Sequence, residues 1–360
     1  MKILITGGHI TTALAVIEEL QKHNGVEIVV VGRKYAVDHE NTESFEYKTL
    51  KKRNIRFFHL AAGRLTRSFS IYSIISVFKF PVGFLHALNL LKKERPTHIL
   101  SFGGYIALPI AIGAYILGIP VFTHEQTMRP GSTNRLIAQF AKKVFVSFDG
   151  AKKFFPSNKT ILTGNPVRSV ILELRQETTA RPTLLIMGGS LGSHSINVHI
   201  EKIVDELTKT FTVIHQTGNV AQYGDYARLK EKESELYKIF EHFDEKQLAA
   251  YYAQSSLVVS RSGANTVCEL IALQKPSVLI PLPWAANGEQ QAQADFMRNS
   301  GVSETFGQEQ ESAVLLQKIL SVYSASDRYR ESFSRLKDQQ SLIAHAAPII
   351  VDELIHEKNS

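Results

Sequence analysis

Short apolar runs, each ending in glycine, serine or proline, recur along the chain with longer amphipathic stretches between them. Lys2–Ile5, Glu27–Val31, His98–Phe102, Val121–Thr123 and Val144–Ser147 read as buried strands, with a helix near Thr12–Lys22 after the first. Unbroken apolar runs, as opposed to alternation, belong to strands covered on both faces. They predict a parallel sheet with helices on each side. The pattern restarts at Thr183–Met187 and continues through Phe211–Gln216, Leu257–Ser260 and Ser277–Pro281. Between the two series, Leu162–Arg168 reads as a linker. The expected domains are 1–163 and 164–341, with a last helix at about 342–358 returning to the first. Two α/β domains facing each other across a cleft suit a ligand bound between them.

Length and composition agree with this picture. A chain of 360 residues, 44% apolar and 21% charged, has enough material for two globular cores. One cysteine, Cys268, excludes an internal disulfide and a Cys-based zinc site and fits a reducing compartment. The first residues, Met1-Lys2-Ile3-Leu4-Ile5-Thr6-Gly7-Gly8, read as a strand entering a turn, not as a signal peptide, so a cytoplasmic location is expected. Ser101–Thr123 carries no charge. Gly103, Gly104, Pro109, Gly113, Gly118 and Pro120 punctuate it as strand, turn and helix instead of one membrane span. Charge changes the picture more. The chain is +7 overall, but residues 1–160 hold 22 basic against 10 acidic side chains, and the remainder 19 against 24. The first half is therefore expected to face an anionic partner.

Three glycine turns follow predicted strands and precede predicted helices: Thr6-Gly7-Gly8-His9, Phe102-Gly103-Gly104-Tyr105, and Met187-Gly188-Gly189-Ser190-Leu191-Gly192-Ser193. Glycine lets backbone approach a ligand closely, and the free N–H groups of the next helix attract phosphate. A tight turn with no ligand is the alternative for each. None matches the dinucleotide or P-loop fingerprints, which disfavours nicotinamide and ATP chemistry. A fourth constellation runs Ser260-Arg261-Ser262-Gly263-Ala264-Asn265-Thr266-Val267-Cys268-Glu269. With a helix beginning near Ala264, Glu269 falls in its first turn or two. There a carboxylate is able to hold both ribose hydroxyls while the helix start meets phosphate. The alternative is an ordinary helix-start glutamate favoured by the dipole.

Taken in order, these and further motifs give a resemblance covering nearly the whole chain. They include His124-Glu125-Gln126 with Pro130-Gly131 and Asn134-Arg135, Gly164-Asn165-Pro166-Val167-Arg168, Asn197, His215-Gln216-Thr217-Gly218, and Ile280-Pro281-Leu282-Pro283 followed by Gln290. The chain resembles the MurG family, inverting transferases that move N-acetylglucosamine from UDP-GlcNAc to an undecaprenyl-pyrophosphoryl muramyl-pentapeptide in peptidoglycan synthesis. The resemblance implies a GT-B fold of two Rossmann-like domains, with the donor held mainly by the second. It implies that main chain near Phe243 reads uracil and that Glu269 holds the ribose. Gly188, Gly189 and Ser190, with Arg261 and the helix start at Ala264, Asn265, Thr266, Val267 and Cys268, would surround the pyrophosphate. Gln290 would contact sugar hydroxyls, and Thr6, Gly7, Gly8, Thr127 and Arg168 would complete the donor site. His9 or Glu125 would be the general base, and neither metal nor cofactor would be required. On its residue alone His9 also reads as a turn residue capping the next helix. The first loop is shorter than the family's Gly-Gly-x-Gly-Gly-His. Thr127, Leu191, Glu289 and Gln293 also replace family residues, which bears on sugar and acceptor more than on fold.

Residues 51–95 contain ten basic side chains and one acid, Glu94. Between them lie Phe69, Ile71, Ile74, Ile75, Phe78, Phe80, Phe84 and Leu85. Apolar residues framed by positive charge suit an anionic membrane surface, with each nearby cation contributing about 1 kcal/mol. The expectation is peripheral attachment to the cytoplasmic face of the cell membrane through about 64–85. A core helix with solvated basic flanks is the alternative. No nucleic-acid recognition motif accompanies the charge. Three functions fit the sequence: the MurG-type transfer; a GT-B enzyme with another acceptor or reaction, such as a glycolipid synthase or UDP-sugar epimerase; and a non-catalytic membrane-associated relative.

Overall fold

The computed structural model describes residues 1–35, 43–60, 71–189, 192–220 and 222–356, with backbone alone at 45 and 71–80. The chain divides into two compact units, Met1–Arg168 with His345–Ser360, and Ser169–Ala344.

Unit 1 runs β1 (Lys2–Thr6), α1 (Ile10–Leu20), β2 (Glu27–Gly32), α2 (Phe45–Lys52), β3 (Arg56–His59), α3 (Ile71–Glu94), β4 (His98–Ser101), α4 (Ala107–Ile116), β5 (Val121–Glu125), α5 (Ser132–Phe140), β6 (Lys143–Val146) and β7 (Thr160–Leu162). Its seven strands lie in the order β3-β2-β1-β4-β5-β6-β7, every pairing parallel. Side chains alternate across the sheet, so both faces must be covered. Leu4, Val29, Val31 and Ile99 pack into one core layer, and Ile3, Ile5, Val30 and Leu100 into the other.

Unit 2 continues with α6 (Ser169–Leu172), β8 (Thr183–Met187), α7 (His194–Thr210), β9 (Thr212–Gln216), α8 (Asp225–Lys230), β10 (Tyr237–Phe240), α9 (Glu245–Gln254), β11 (Ser255–Ser260), α10 (Ala264–Ala272), β12 (Ser277–Leu279), α11 (Glu289–Asn299), β13 (Ser303–Thr305), α12 (Ser312–Ser324), α13 (Ser326–Ser332) and α14 (Lys337–His356). Its six parallel strands follow the order β10-β9-β8-β11-β12-β13. The end of α14 belongs to unit 1, where Ile350, Val351 and Leu354 join the layer of Ile3 and Ile5.

Two features differ from the sequence expectation. The division falls after Arg168, not after residue 163. Residues 163–165 stay with unit 1 because Thr163 N–H bonds Val146 O (3.0 Å), His124 Nε2 bonds Gly164 O (3.1 Å) and Ser147 Oγ bonds Asn165 Oδ1 (3.4 Å). The short edge strands β3, β7, β10 and β13 have no counterpart in the buried runs. They are three or four residues long, and β3 carries Arg56 and His59 at its exposed ends, so burial on both faces never marks them.

Candidate functional site

Both sheets reverse strand order once. In unit 1 the chain builds β1, β2 and β3 to one side and then crosses to β4 on the other; in unit 2 it does the same from β8 to β11. At such a switch point the connections diverge and leave a crevice at the carboxyl ends of the two strands. All four glycine-containing turns singled out from the sequence stand at these crevices, two per unit.

In unit 2, Gly188 and Gly189 leave β8 and the chain returns to the helix start at α7. Gly192 has φ +79°, and any side chain there would strike the Thr217 carbonyl; a Cβ on Gly188 would stand 2.5 Å from the Gly192 carbonyl carbon. The turn is therefore closed by backbone packing that only glycine permits. Asn197 Nδ2 fixes its far wall by bonding Thr217 O (3.0 Å) and Asp225 (2.8 Å). Burial works against the Asp225 carboxylate, but hydrogen bonds from Asn197, His194 and Arg228 outweigh it and hold its pKa below the usual carboxylate range. His194 also stacks on Tyr223 at 4.1 Å. Of this framework the sequence singles out Asn197 and Thr217; His194, Tyr223 and Asp225 join them only when α7 and α8 pack. Ser190 lies outside the described residues.

Neither α7 nor α10 receives a side-chain cap: Ser193 and Gly263 occupy the cap positions without one. A helix start without a side-chain cap is a position suited to an anion. Arg261 adds charge. Its Nη2 donates to Ser193 Oγ (2.7 Å), Ser195 Oγ (2.8 Å) and Gln308 Oε1 (3.0 Å), and its Nη1 to Ile280 O (3.0 Å). Burial pushes its pKa down to about 10, which still leaves it protonated at neutral pH. The guanidinium is committed to neutral groups of the protein, so it braces the turn and supplies positive potential from behind.

Glu269 sits in the second turn of α10, buried, with Oε2 accepting from Tyr252 Oη at 3.0 Å. Ala264, Asn265 and Thr266 form the first turn. Val267 and Cys268 have fully buried side chains packed into the core, so of these two only main chain is available to a ligand. Gln290 is turned back on its own loop: Oε1 accepts from Leu282 N–H (3.0 Å), and its carbonyl takes the Ser262 hydroxyl (2.8 Å). Phe243 packs against Phe240 and Tyr251 at 5.3 and 4.9 Å, just before the Asp244–Gln247 capping box of α9.

In unit 1, Gly7–Gly8 and Gly103–Gly104 meet across the β1/β4 crevice. A Cβ on Gly8 would stand 3.0 Å from Gly103 O, and Gly8, Gly103 and Gly104 all have positive φ. Thr6 is buried beneath them. His9 precedes α1 but its side chain makes no cap hydrogen bond, so capping does not account for it. The residue has exposed surface, while the protein around its imidazole disfavours the charged form and lowers its pKa, with Glu125 pulling the other way. Glu125 is itself engaged. Oε1 accepts from Thr127 N–H (2.9 Å) and Thr127 Oγ1 (2.7 Å), and Oε2 from Asn134 Nδ2 (2.9 Å). It orders the Thr127 loop and biases His9 electrostatically. His124 is wholly buried, its pKa pushed down to about 4 by burial. The bonds to Gly164 O and Gln126 Nε2 assign the tautomer protonated at Nε2. Arg168 is buried at the end of unit 1.

Of the basic apolar segment, 64–70 lies outside the described residues and 71–80 is backbone in α3. Beyond Pro81, Val82 and Leu85 are 66% and 59% exposed. Among the described residues no helix is long and apolar enough to cross a membrane, and no three His, Cys, Asp or Glu side chains converge to hold a metal.

Residues 6–146 match the N-terminal domain of glycosyltransferase family 28 and residues 183–346 its C-terminal domain. Solved structures of the same fold include MurG of Acinetobacter baumannii (TM-score 0.67, 24% identity, 98% of each chain). Another is the UDP-GlcNAc 2-epimerase of Neisseria meningitidis bound to UDP-GlcNAc (TM-score 0.68, 18% identity, 99% of this chain and all of that one). The fold and the paired switch-point turns thus define a two-domain glycosyltransferase of the GT-B class. Full-length relatives narrow the class. Two of them are named UDP-N-acetylglucosamine–N-acetylmuramyl-(pentapeptide) pyrophosphoryl-undecaprenol N-acetylglucosamine transferase. One, from Clostridium botulinum strain Alaska E43, is 34% identical over 355 residues, 95% of each chain; the other, from Clostridium tetani, is 33% identical over 342 residues, 91% of each. The chain belongs to this family, the MurG family.

Proposed function

We propose that this chain transfers N-acetylglucosamine from UDP-GlcNAc to a lipid-linked muramyl-pentapeptide with inversion at the anomeric carbon. The observation that carries the reading is the β8/β11 switch point: two uncapped helix starts, a braced arginine and a buried glutamate together match a nucleoside diphosphate. Glu269 takes the ribose hydroxyls. The diphosphate lies on the Gly188–Gly189 turn and the first N–H groups of α10, with the Arg261 field behind. Backbone near Phe243 reads the base. As the acceptor hydroxyl attacks the anomeric carbon, the bond from that carbon to the diphosphate oxygen breaks, and UDP leaves with its added negative charge facing the helix starts. The hydroxyl proton passes to His9, the neutral imidazole beside Glu125, a step worth about 10²–10⁴-fold.

The acceptor's lipid places the reaction at a membrane. The excess of positive charge in residues 1–160 and the exposed Val82 and Leu85 favour adsorption to an anionic cytoplasmic leaflet, without nucleic acid as a partner. Release of UDP measured with and without lipid-linked muramyl acceptor tests the reading. Acceptor-dependent release supports it. Conversion of free UDP-GlcNAc would instead indicate an epimerase, and binding without turnover a non-catalytic relative.

A further inference from the structure

Arg261 is a buried cation with no carboxylate partner among the described residues. Burial alone moves its pKa, downward, with no acid nearby to raise it. Buried charges are ordinarily paired, so an unneutralised guanidinium is a position kept for an anion. Its Nη2 rests on three neutral oxygens. Two are hydroxyls at the entry to α7, Ser193 Oγ and Ser195 Oγ. A hydroxyl both donates and accepts, so alone it does not fix the cation beside it. The third, Gln308 Oε1, only accepts. It takes Arg261 Nη2 (3.0 Å) and also the Ser195 hydroxyl proton (3.0 Å). With that proton given away, Ser195 Oγ offers its lone pairs to Arg261 Nη2 at 2.8 Å. One amide oxygen thus orders both the cation and the hydroxyl next to it.

Gln308 is itself held from behind. It lies in the connection from β13 to α12, where Gly307 and Gln310 close a turn through Gln310 N–H to Gly307 O (3.0 Å) and Gly307 N–H to Gln310 Oε1 (3.1 Å). His199, on α7, bonds Gln308 O through Nε2 (3.0 Å) and Ser312 Oγ through Nδ1 (2.9 Å). A carbonyl only accepts, so Nε2 carries the proton. The helix that meets the diphosphate and the residue that orders Arg261 are therefore fixed to each other. The neutrality of Gln308 matters as much as its reach. A carboxylate in its place would hold the guanidinium more strongly, but would cancel the positive charge that Arg261 adds to the starts of α7 and α10.

We propose that Gln308 is a positioning residue of the donor site, holding Arg261 at the start of α7 without neutralising it, so that its charge stays available to the donor diphosphate. This rests on the reading of the β8/β11 crevice as a nucleoside diphosphate site. Gln308 acts through Arg261, and its effect is confined to the phosphates.

The experiment compares wild type, Gln308→Met and Gln308→Glu by calorimetric titration with UDP and with uridine, with thermal melting as the fold control. Uridine carries base and ribose but no phosphate, so the ratio of the two affinities isolates the diphosphate. Methionine fills the space of glutamine with no more than a weak acceptor; glutamate keeps the acceptor and adds the charge. Expected is UDP affinity about 3- to 10-fold weaker in Gln308→Met and at least about 10-fold weaker in Gln308→Glu, with uridine affinity within about twofold of wild type in both. A merely structural role would move UDP and uridine together. Wild-type UDP affinity in either variant, or equal weakening of UDP and uridine, overturns the proposal. If Gln308→Met does not fold, Gln308→Glu alone decides: weaker UDP at unchanged uridine supports it, and any other result overturns it. Wild type that binds no UDP would remove the nucleotide reading, and this proposal with it. Normal UDP binding by wild type with indifferent variants removes the proposal alone.

Discussion

Replacing Glu46 by glutamine should stabilise unit 1 progressively as pH rises from about 4.5, with the full effect reached above about pH 7. The carboxyl has its pKa raised from 4.5 to about 7 because burial disfavours the anion. A group whose pKa rises on folding lends stability that is complete below about pH 4.5 and lost as pH climbs through about 7. At pH 8 the full loss is up to about 3 kcal/mol by linkage, and the partial exposure of the side chain brings the expectation nearer 2 kcal/mol. Glutamine keeps the shape but has no anion to bury. Hydrogen exchange in graded denaturant, read by mass spectrometry at pH 4.5 and pH 8, isolates the effect. Peptides from β1 and β2 should open at higher denaturant in Glu46→Gln than in wild type at pH 8, and at nearly the same denaturant at pH 4.5. Peptides from β8 and β11 should not change. A variant less stable than wild type at pH 8, or a gain of equal size at both pH values, would refute the reasoning.

Two other expectations follow from local geometry. Gly192→Ala should cost more than about 3 kcal/mol and abolish UDP binding, because φ is +79° and the new methyl meets the Thr217 carbonyl. Gly189→Ala, with open space around it, should cost about 1–2 kcal/mol from its backbone angle alone; equal losses in calorimetric melting would contradict this. On acidification, His124 and His215, held neutral by burial with pKa values of about 4 and about 3, resist protonation in the fold while the unfolded chain takes it up. Stability should therefore fall by about 3 kcal/mol per histidine as pH drops from 6.5 toward 4. Urea midpoints that stay level over that window would be inconsistent with two buried neutral imidazoles.

The parts of this molecule that could be read in advance are those set by covalent neighbours. A buried run followed by paired glycines and a helix start is local, so the turns at Gly7–Gly8, Gly103–Gly104 and Gly188–Gly189 were placed from the chain alone. What they have in common was not visible there. Only strand order shows that they pair off at two switch points. The hydrogen-bond partners of the candidate residues were not legible there. The sequence offers Glu125 as a candidate base without showing that Thr127 and Asn134 hydrogen-bond to its oxygens. It offers Gln290 as a sugar contact without showing that its Oε1 accepts from Leu282 N–H. Val267, Cys268 and Glu269 share a motif, and the fold buries all three, which the motif alone does not show. Glu46 gave no signal, since nothing in Ser44-Phe45-Glu46-Tyr47 reveals that Gly7 and Gly32 leave a slot for its carboxyl.

The claim on which the account depends is that the β8/β11 crevice binds a uridine diphosphate through Glu269 and uncapped helix starts. Calorimetric titration of UDP into wild type and into Glu269→Ala addresses it with no acceptor or membrane present. One UDP should bind per chain, with affinity about 10- to 100-fold weaker in the variant, the size of a lost hydrogen-bonded carboxylate contact. Absence of UDP binding by the wild type, or equal affinity in the two proteins, would contradict it.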